Sequence, residues 1–129
     1  MAEFRIQKKT KLTFDEALAK VPEALKAEGF GVLTQIDVQA TLKEKIGADF
    51  RRYRILGACN PTLAFRALST ELEVGVMLPC NVIVYEGDDG KAVACAIDPM
   101  ATIASTHTGL NVIAGEVKFA LQRALAALP

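Results

Sequence analysis

The run Glu86-Gly87-Asp88-Asp89-Gly90-Lys91 divides a long β-forming stretch in two, and it limits the possible folds more than any other segment. Residues 81–86 and 91–97 are rich in Val, Ile, Tyr and Ala, and a Gly-Asp-Asp-Gly connection between such runs signals a hairpin. Strands joined by so short a loop run antiparallel. A purely parallel, doubly wound sheet is therefore excluded, even though strands and helices alternate earlier in the chain. The expected class is α+β: two layers, with a mainly antiparallel sheet packed by helices.

The rest of the chain supplies the helices. Thr13-Phe14-Asp15-Glu16 has the form of a capping box, and Phe14, Leu18, Val21 and Leu25 follow at helical spacing up to a stop at Gly29. Pro22 is expected to kink this helix or shorten its regular part. Phe4 and Ile6 mark a short strand before it, and residues 31–36 mark another after it. Asp37 can cap a helix bearing Val38, Leu42 and Ile46, which Gly47 ends. Residues 53–59 read as a strand, Asn60 and Pro61 as the cap and first turn of a helix over 61–70. The alternation of Leu72, Val74, Val76 and Leu78 predicts a further strand, and Leu110, Ile113, Val117, Leu121, Ala124 and Leu128 a final helix. With 129 residues and no linker or repeat, the chain reads as a single domain, 1–129.

Composition narrows the function. Fifteen basic residues balance fifteen acidic ones, so no overall field draws the chain to nucleic acid or to an anionic membrane. The first residues lack the apolar run of a signal peptide, which leads us to expect a cytoplasmic protein. Cys59, Cys80 and Cys95 are odd in number and lack CxxC spacing, so neither a disulfide framework nor a metal motif is indicated, and reduced thiols are expected. The acidic hairpin tip has the wrong ligand spacing for a calcium loop. Asp98 reads as a turn residue, and His107, the only histidine, as a surface residue.

Centring the hairpin on Asp88-Asp89 pairs Cys95 with Val82 and Cys80 with Ile97. One face then carries Cys80, Val82, Val84, Val93, Cys95 and Ile97, with the two thiols diagonal neighbours about 7 Å apart. The other face carries Ile83, Tyr85, Ala92, Ala94 and Ala96. Both are apolar, so both need cover, and a homodimer packed across the second face is expected.

Cys59 differs from the other thiols because it precedes a helix N-terminus, where backbone N–H groups favour anions and lower a thiol pKa. Arg51, Arg52 and Arg54 lie just upstream. Arg54, Cys59, Asn60 and Pro61 are thus the candidate site for a small anionic ligand, with Cys80 and Asn81 supporting it. The same residues also have a purely structural reading, in which Asn60 caps and Cys59 packs. A third reading is thiol chemistry or soft-metal binding at Cys59, with Cys80 or Cys95 as its partner. No catalytic set and no cofactor are indicated, so enzymatic activity stays open.

Gly29-Phe30-Gly31-Val32-Leu33-Thr34 with Ile36-Asp37-Val38, then Tyr53-Arg54-Ile55-Leu56-Gly57-Ala58-Cys59-Asn60-Pro61, then Leu78-Pro79-Cys80-Asn81-Val82, form an ordered set of motifs. In these the chain resembles the bacterial and archaeal domain-of-unknown-function family 302. The resemblance covers most of the chain, and Asp98-Pro99 fits it too. It implies an α+β domain of TATA-binding-protein-like architecture and a dimer. It brings Cys59, Asn60, Cys80 and Asn81 forward as motif positions and implies no activity.

Overall fold

Where the sequence offers complete caps, helices form between them. A computed structural model describes residues 4–103 and 108–129. Helix α1 (Phe14–Ala27) opens with the full capping box, in which the Thr13 hydroxyl accepts the Glu16 N–H at 3.2 Å and the Glu16 carboxylate accepts the Thr13 N–H at 2.9 Å. The helix runs through Pro22 and is not shortened by it. Val21 and Leu25, buried on either side, hold the helix to the core, and this burial outweighs one missing backbone bond. At its end the Gly29 N–H reaches the Lys26 carbonyl and the Phe30 N–H the Leu25 carbonyl, a Schellman closure that needs Gly29 at φ 87° and buries Phe30 beside Leu25.

Five strands form one sheet: β1 (Arg5–Lys9), β2 (Gly31–Asp37), β3 (Tyr53–Cys59), β4 (Cys80–Glu86) and β5 (Ala92–Ile97). Their order is β1-β5-β4-β3-β2, and every neighbouring pair is antiparallel. Helices α2 (Val38–Ile46) and α3 (Pro61–Thr70) flank β3 in sequence, and α4 (Asn111–Ala126) closes the chain. The expected α+β, two-layer class is the one observed. Helices α1 and α4 bury one sheet face, which carries Leu56, Ala58, Cys80, Val82 and Val84 together with Ala92, Ala94 and Ala96. Three alanines in a row on β5 let the two helices approach the sheet closely.

Two expectations are corrected. Residues 72–78 are not a strand: Leu72–Met77 is a 3₁₀-helix. The Glu71 carboxylate caps it by accepting the Glu73 N–H at 3.0 Å. Val74 is buried and Met77 packs against the core three residues later, whereas Leu72 and Val76 are 79% and 90% exposed. A spacing of three gives this face, and the period-two pattern of apolar letters was incidental.

The hairpin register also differs by one residue. Val82 pairs with Ala96 and Ile83 with Cys95. Gly90 has φ 80°, its N–H reaches the Gly87 carbonyl, and the Gly87 N–H reaches the Lys91 carbonyl at 2.8 Å. The loop therefore holds three residues, a turn followed by a left-handed glycine, instead of two. Because side chains alternate along a strand, this slip reverses all of β5 relative to β4. Cys80 stays with the core, and Cys95 moves to the opposite face with Val93 and Ile97. The two thiols are not neighbours.

Candidate functional site

The start of α3 is built as the sequence suggested, but its parts are already engaged. Asn60 Oδ1 accepts the Leu63 N–H at 3.2 Å, and Asn60 Nδ2 donates to the Glu28 carbonyl at 3.5 Å. A Cβ on Gly29 would lie 2.9 Å from that same Nδ2. Asn60 thus caps α3 and ties it to the end of α1, while Pro61 begins the helix with its fixed φ. Beside them, Cys59 and Cys80 line an apolar cavity of about 40 Å³ whose other walls include Phe30, Leu63, Ala67, Ile113 and Val117.

Arg54 is not part of this cluster. It lies five residues before Cys59 on β3, a strand length of about 17 Å. Its guanidinium is held by Asp37 at 3.3 Å and by the Gln35 side chain. Arg51 pairs with Asp88 at 3.0 Å, and Arg52 pairs with Asp15 and lies over the Phe14 ring. Asn81 is exposed and faces Gly57 on the other side of the sheet. Of the six residues singled out, the fold brings together Cys59, Asn60, Pro61 and Cys80.

The charges that do surround the α3 start come from elsewhere. Arg66 pairs with Glu116, and Arg123 with Glu28, each at 2.8 Å, around a groove that also meets Thr62 and Phe119. Nothing in the spacing reveals these four residues, because the packing of α3 against α4 and α1 brings them together. Each arginine there is already matched by a carboxylate, which weakens the groove as an anion site.

Burial decides the state of Cys80. Desolvation, helped by the nearby Cys59, pushes its thiol up to about 11 from an ordinary 9.0. The folded protein therefore keeps a proton that the unfolded chain releases, so stability falls as pH rises from 9.0 towards 11. The expected loss from this group is about 2–3 kcal/mol. Cys95 and Tyr53, both raised chiefly by burial, add in the same direction. Urea unfolding across this range checks the effect. A Cys80→Ala variant with the wild-type pH slope would contradict it.

The second feature is the sheet face away from α1 and α4. Gln7, Cys95, Ile83, Ile55 and Ile36 pair in turn across all five strands, forming a single row. Lys9, Val93, Tyr85 and Tyr53 form the next, with the two tyrosine rings stacked at 5.7 Å. Between these rows and the β1 end lies a depression of about 430 Å³ lined by Arg5, Gln7, Tyr53, Asn81, Ile83, Tyr85, Cys95 and Ile97. Burial raises the Cys95 thiol, and the Gln7 side chain and Arg5 stand close enough to oppose that rise.

Other acidic groups serve the fold. Asp98 accepts the Met100 N–H and pairs with Lys118, both at 2.9 Å. Asp89 accepts the Lys91 N–H within the hairpin. No group of three or more His, Cys, Asp or Glu side chains gathers at metal-binding range among the described residues. His107 lies outside them. No described helix is long and apolar enough to cross a membrane.

The order of strands, the Asn60-Pro61 cap and the Cys80-Asn81 strand start can now be set against known proteins. The family described as Domain of unknown function DUF302 matches residues 6–128. The chain belongs to this family. A solved DUF302 structure, the crystal structure of an uncharacterized conserved protein from Bacillus stearothermophilus, is 35% identical to it. The two superpose with a TM-score of 0.88 over 97% of this chain and 98% of that one. No curated protein matches the sequence. DUF302 membership fixes the fold and names no activity.

Proposed function

We propose that this DUF302 protein is a cytoplasmic homodimer that binds a small anionic organic ligand, with the open sheet face as both interface and site. The observation that carries the reading is the row Cys95-Ile83-Ile55-Ile36, apolar across four strands on the face that α1 and α4 leave uncovered. The β4–β5 register adds the half-buried Ile97 to this face, where Val93 and Cys95 are already buried within the single chain. Ile36, on the edge strand, is 49% exposed in the single chain.

A second copy is the occupant that best fits. Helix α2 follows β2 directly, has nine residues, and buries no side chain among the described residues. So short a helix is marginal in water without tertiary packing, and Val38, Leu42 and Ile46 give it an apolar stripe to bury. Leu33 on the neighbouring edge strand is also exposed. The chain has no net charge, so two copies meet without overall repulsion, and a two-fold arrangement covers the same patch on both. Three unpaired thiols suit a reducing compartment.

Within that interface the depression has a size typical of ligand sites, an aromatic and apolar floor, and a few polar groups at its wall. Arg5 supplies positive charge in place of Arg54, and Asn81 and Gln7 supply amide groups. A thermal-shift screen of small aromatic and aliphatic carboxylates and phosphates tests the ligand. A binder at about one hundred times its Kd stabilises by about 2.7 kcal/mol and raises Tm by several degrees. Arg5→Ala is expected to abolish that shift. A screen with no shift, or one that Arg5→Ala leaves intact, contradicts the site.

A further inference from the structure

Arg5, Gln7 and Lys9 stand in line on the open sheet face, because their partners on β5 are Ile97, Cys95 and Val93. Along an extended strand the two cations are about 13 Å apart. Each borders a different depression. The one of about 430 Å³ described above holds Arg5, and a second, of about 350 Å³, is lined by Lys9, Arg51, Asp88, Asp89 and Lys91. Tyr85 lines both and so joins them. Building on the ligand reading above, we infer that the anionic ligand is a nucleoside phosphate, with its base in the first depression beside Tyr53 and Tyr85 and its phosphate in the second at Lys9 and Lys91.

The first depression suits a heteroaromatic ring. Tyr53 and Tyr85 are half-buried in the single chain, and their rings stack with planes only 12° apart. A further planar ring extends such a stack in the same offset geometry. The polar groups at its wall narrow the choice of ring. Gln7 and Asn81, both exposed, each offer a donor and an acceptor through one amide, and Arg5 offers donors only. An edge that carries ring nitrogens, carbonyls and amino groups satisfies this set, whereas a hydrocarbon ring leaves it unmatched.

The second depression suits a phosphate. Three cations there face two carboxylates. Arg51 is held by Asp88 at 3.0 Å and by the Glu86 carbonyl at 3.1 Å, and Asp89 accepts the Lys91 backbone N–H at 2.9 Å. Lys9 and Lys91 form no ion pair among the described residues. Lys91 does act on Glu16, whose carboxyl is held below its ordinary value chiefly by hydrogen bonds with Thr13. Lys9 is therefore the cation with least to give up. An ammonium is a compact charge with three donors, which matches the outer oxygens of a phosphate. A phosphate alone or a ring alone meets one depression, and only a molecule that carries both gains from both.

Isothermal titration of the full chain tests the inference, with AMP, GMP, CMP and UMP, their nucleosides, inorganic phosphate, benzoate and a short single-stranded RNA as probes. At least one mononucleotide is expected to bind about tenfold more tightly than either its nucleoside or inorganic phosphate. Lys9→Gln is expected to weaken that nucleotide about tenfold and to leave its nucleoside unchanged. Tyr85→Leu should weaken both, and Tyr85→Phe, which keeps the ring, should retain both. Circular dichroism checks each variant, and the exposed Lys9→Gln keeps the test decisive if Tyr85→Leu does not fold. Binding of benzoate with no binding of any nucleotide overturns the inference and leaves the anion site standing, whereas no binding by any probe removes both. Nucleotide binding that Lys9→Gln leaves intact, or tighter binding of the RNA than of every mononucleotide, also overturns it.

Discussion

Gly57→Val is expected to destabilise the protein by about 3 kcal/mol. Gly57 sits mid-sheet on β3, buried, between Thr34 on β2 and Asn81 on β4. A Cβ added there would come within 2.8 Å of the Pro79 ring and closer still to the Thr34 hydroxyl. The constraint is space: Gly57 is not among the glycines with positive φ, which are Gly29, Gly47 and Gly90. Neither flanking group can withdraw easily, since Pro79 leads directly into β4 and Thr34 borders an irregularity in the β2–β3 ladder. Valine adds two further methyl groups to the same clash. Urea unfolding should show a lower midpoint for Gly57→Ala and a much lower one for Gly57→Val. A valine variant as stable as the wild type would mean that the sheet opens around residue 57, contrary to this packing.

Ile83→Asp is expected to convert the proposed dimer to monomer while leaving the fold in place. Ile83 lies at the centre of the apolar row, paired with Cys95 on one side and Ile55 on the other. In the single chain it is only half-buried, on the face away from the core, so a carboxylate there can reach water and costs folding little. In the proposed dimer it is covered, and the two-fold relation introduces two such charges into one interface. An unpaired buried charge costs about 3–5 kcal/mol, which corresponds to a loss of affinity of about a hundredfold to a few thousandfold. Gel filtration with light scattering, together with circular dichroism, separates the two effects. Retention of a dimer by Ile83→Asp would remove this face from the interface.

Much of the fold was legible in the letters because local chemistry set it. Thr13 with Glu16, Asp37, Gly47 and Asn60 with Pro61 each satisfy a helix end through atoms within a few residues, and the observed elements begin or end at them. The hairpin was legible in place but not in register, since a left-handed Gly90 adds one loop residue and composition does not tell a two-residue turn from a three-residue one. Residues 72–78 misled for a similar reason: four apolar residues in alternation describe a strand only if a neighbouring strand is free to pair with them.

The candidate site was legible in part. Asn60 and Pro61 stand where their residue types belong, and the cavity joins Cys59 to Cys80. Arg54 lay near Cys59 only along the chain, because an extended strand separates residues faster than any other structure. The charged groove made by Glu28, Arg66, Glu116 and Arg123, and the row that crosses all five strands, depend on contacts distant in sequence. Neither leaves a local signal.

Sedimentation equilibrium of the wild-type chain at micromolar concentration tests the central claim most directly. The account predicts a mass twice the 13.9 kDa of one chain. A mass of 13.9 kDa throughout that range would contradict it.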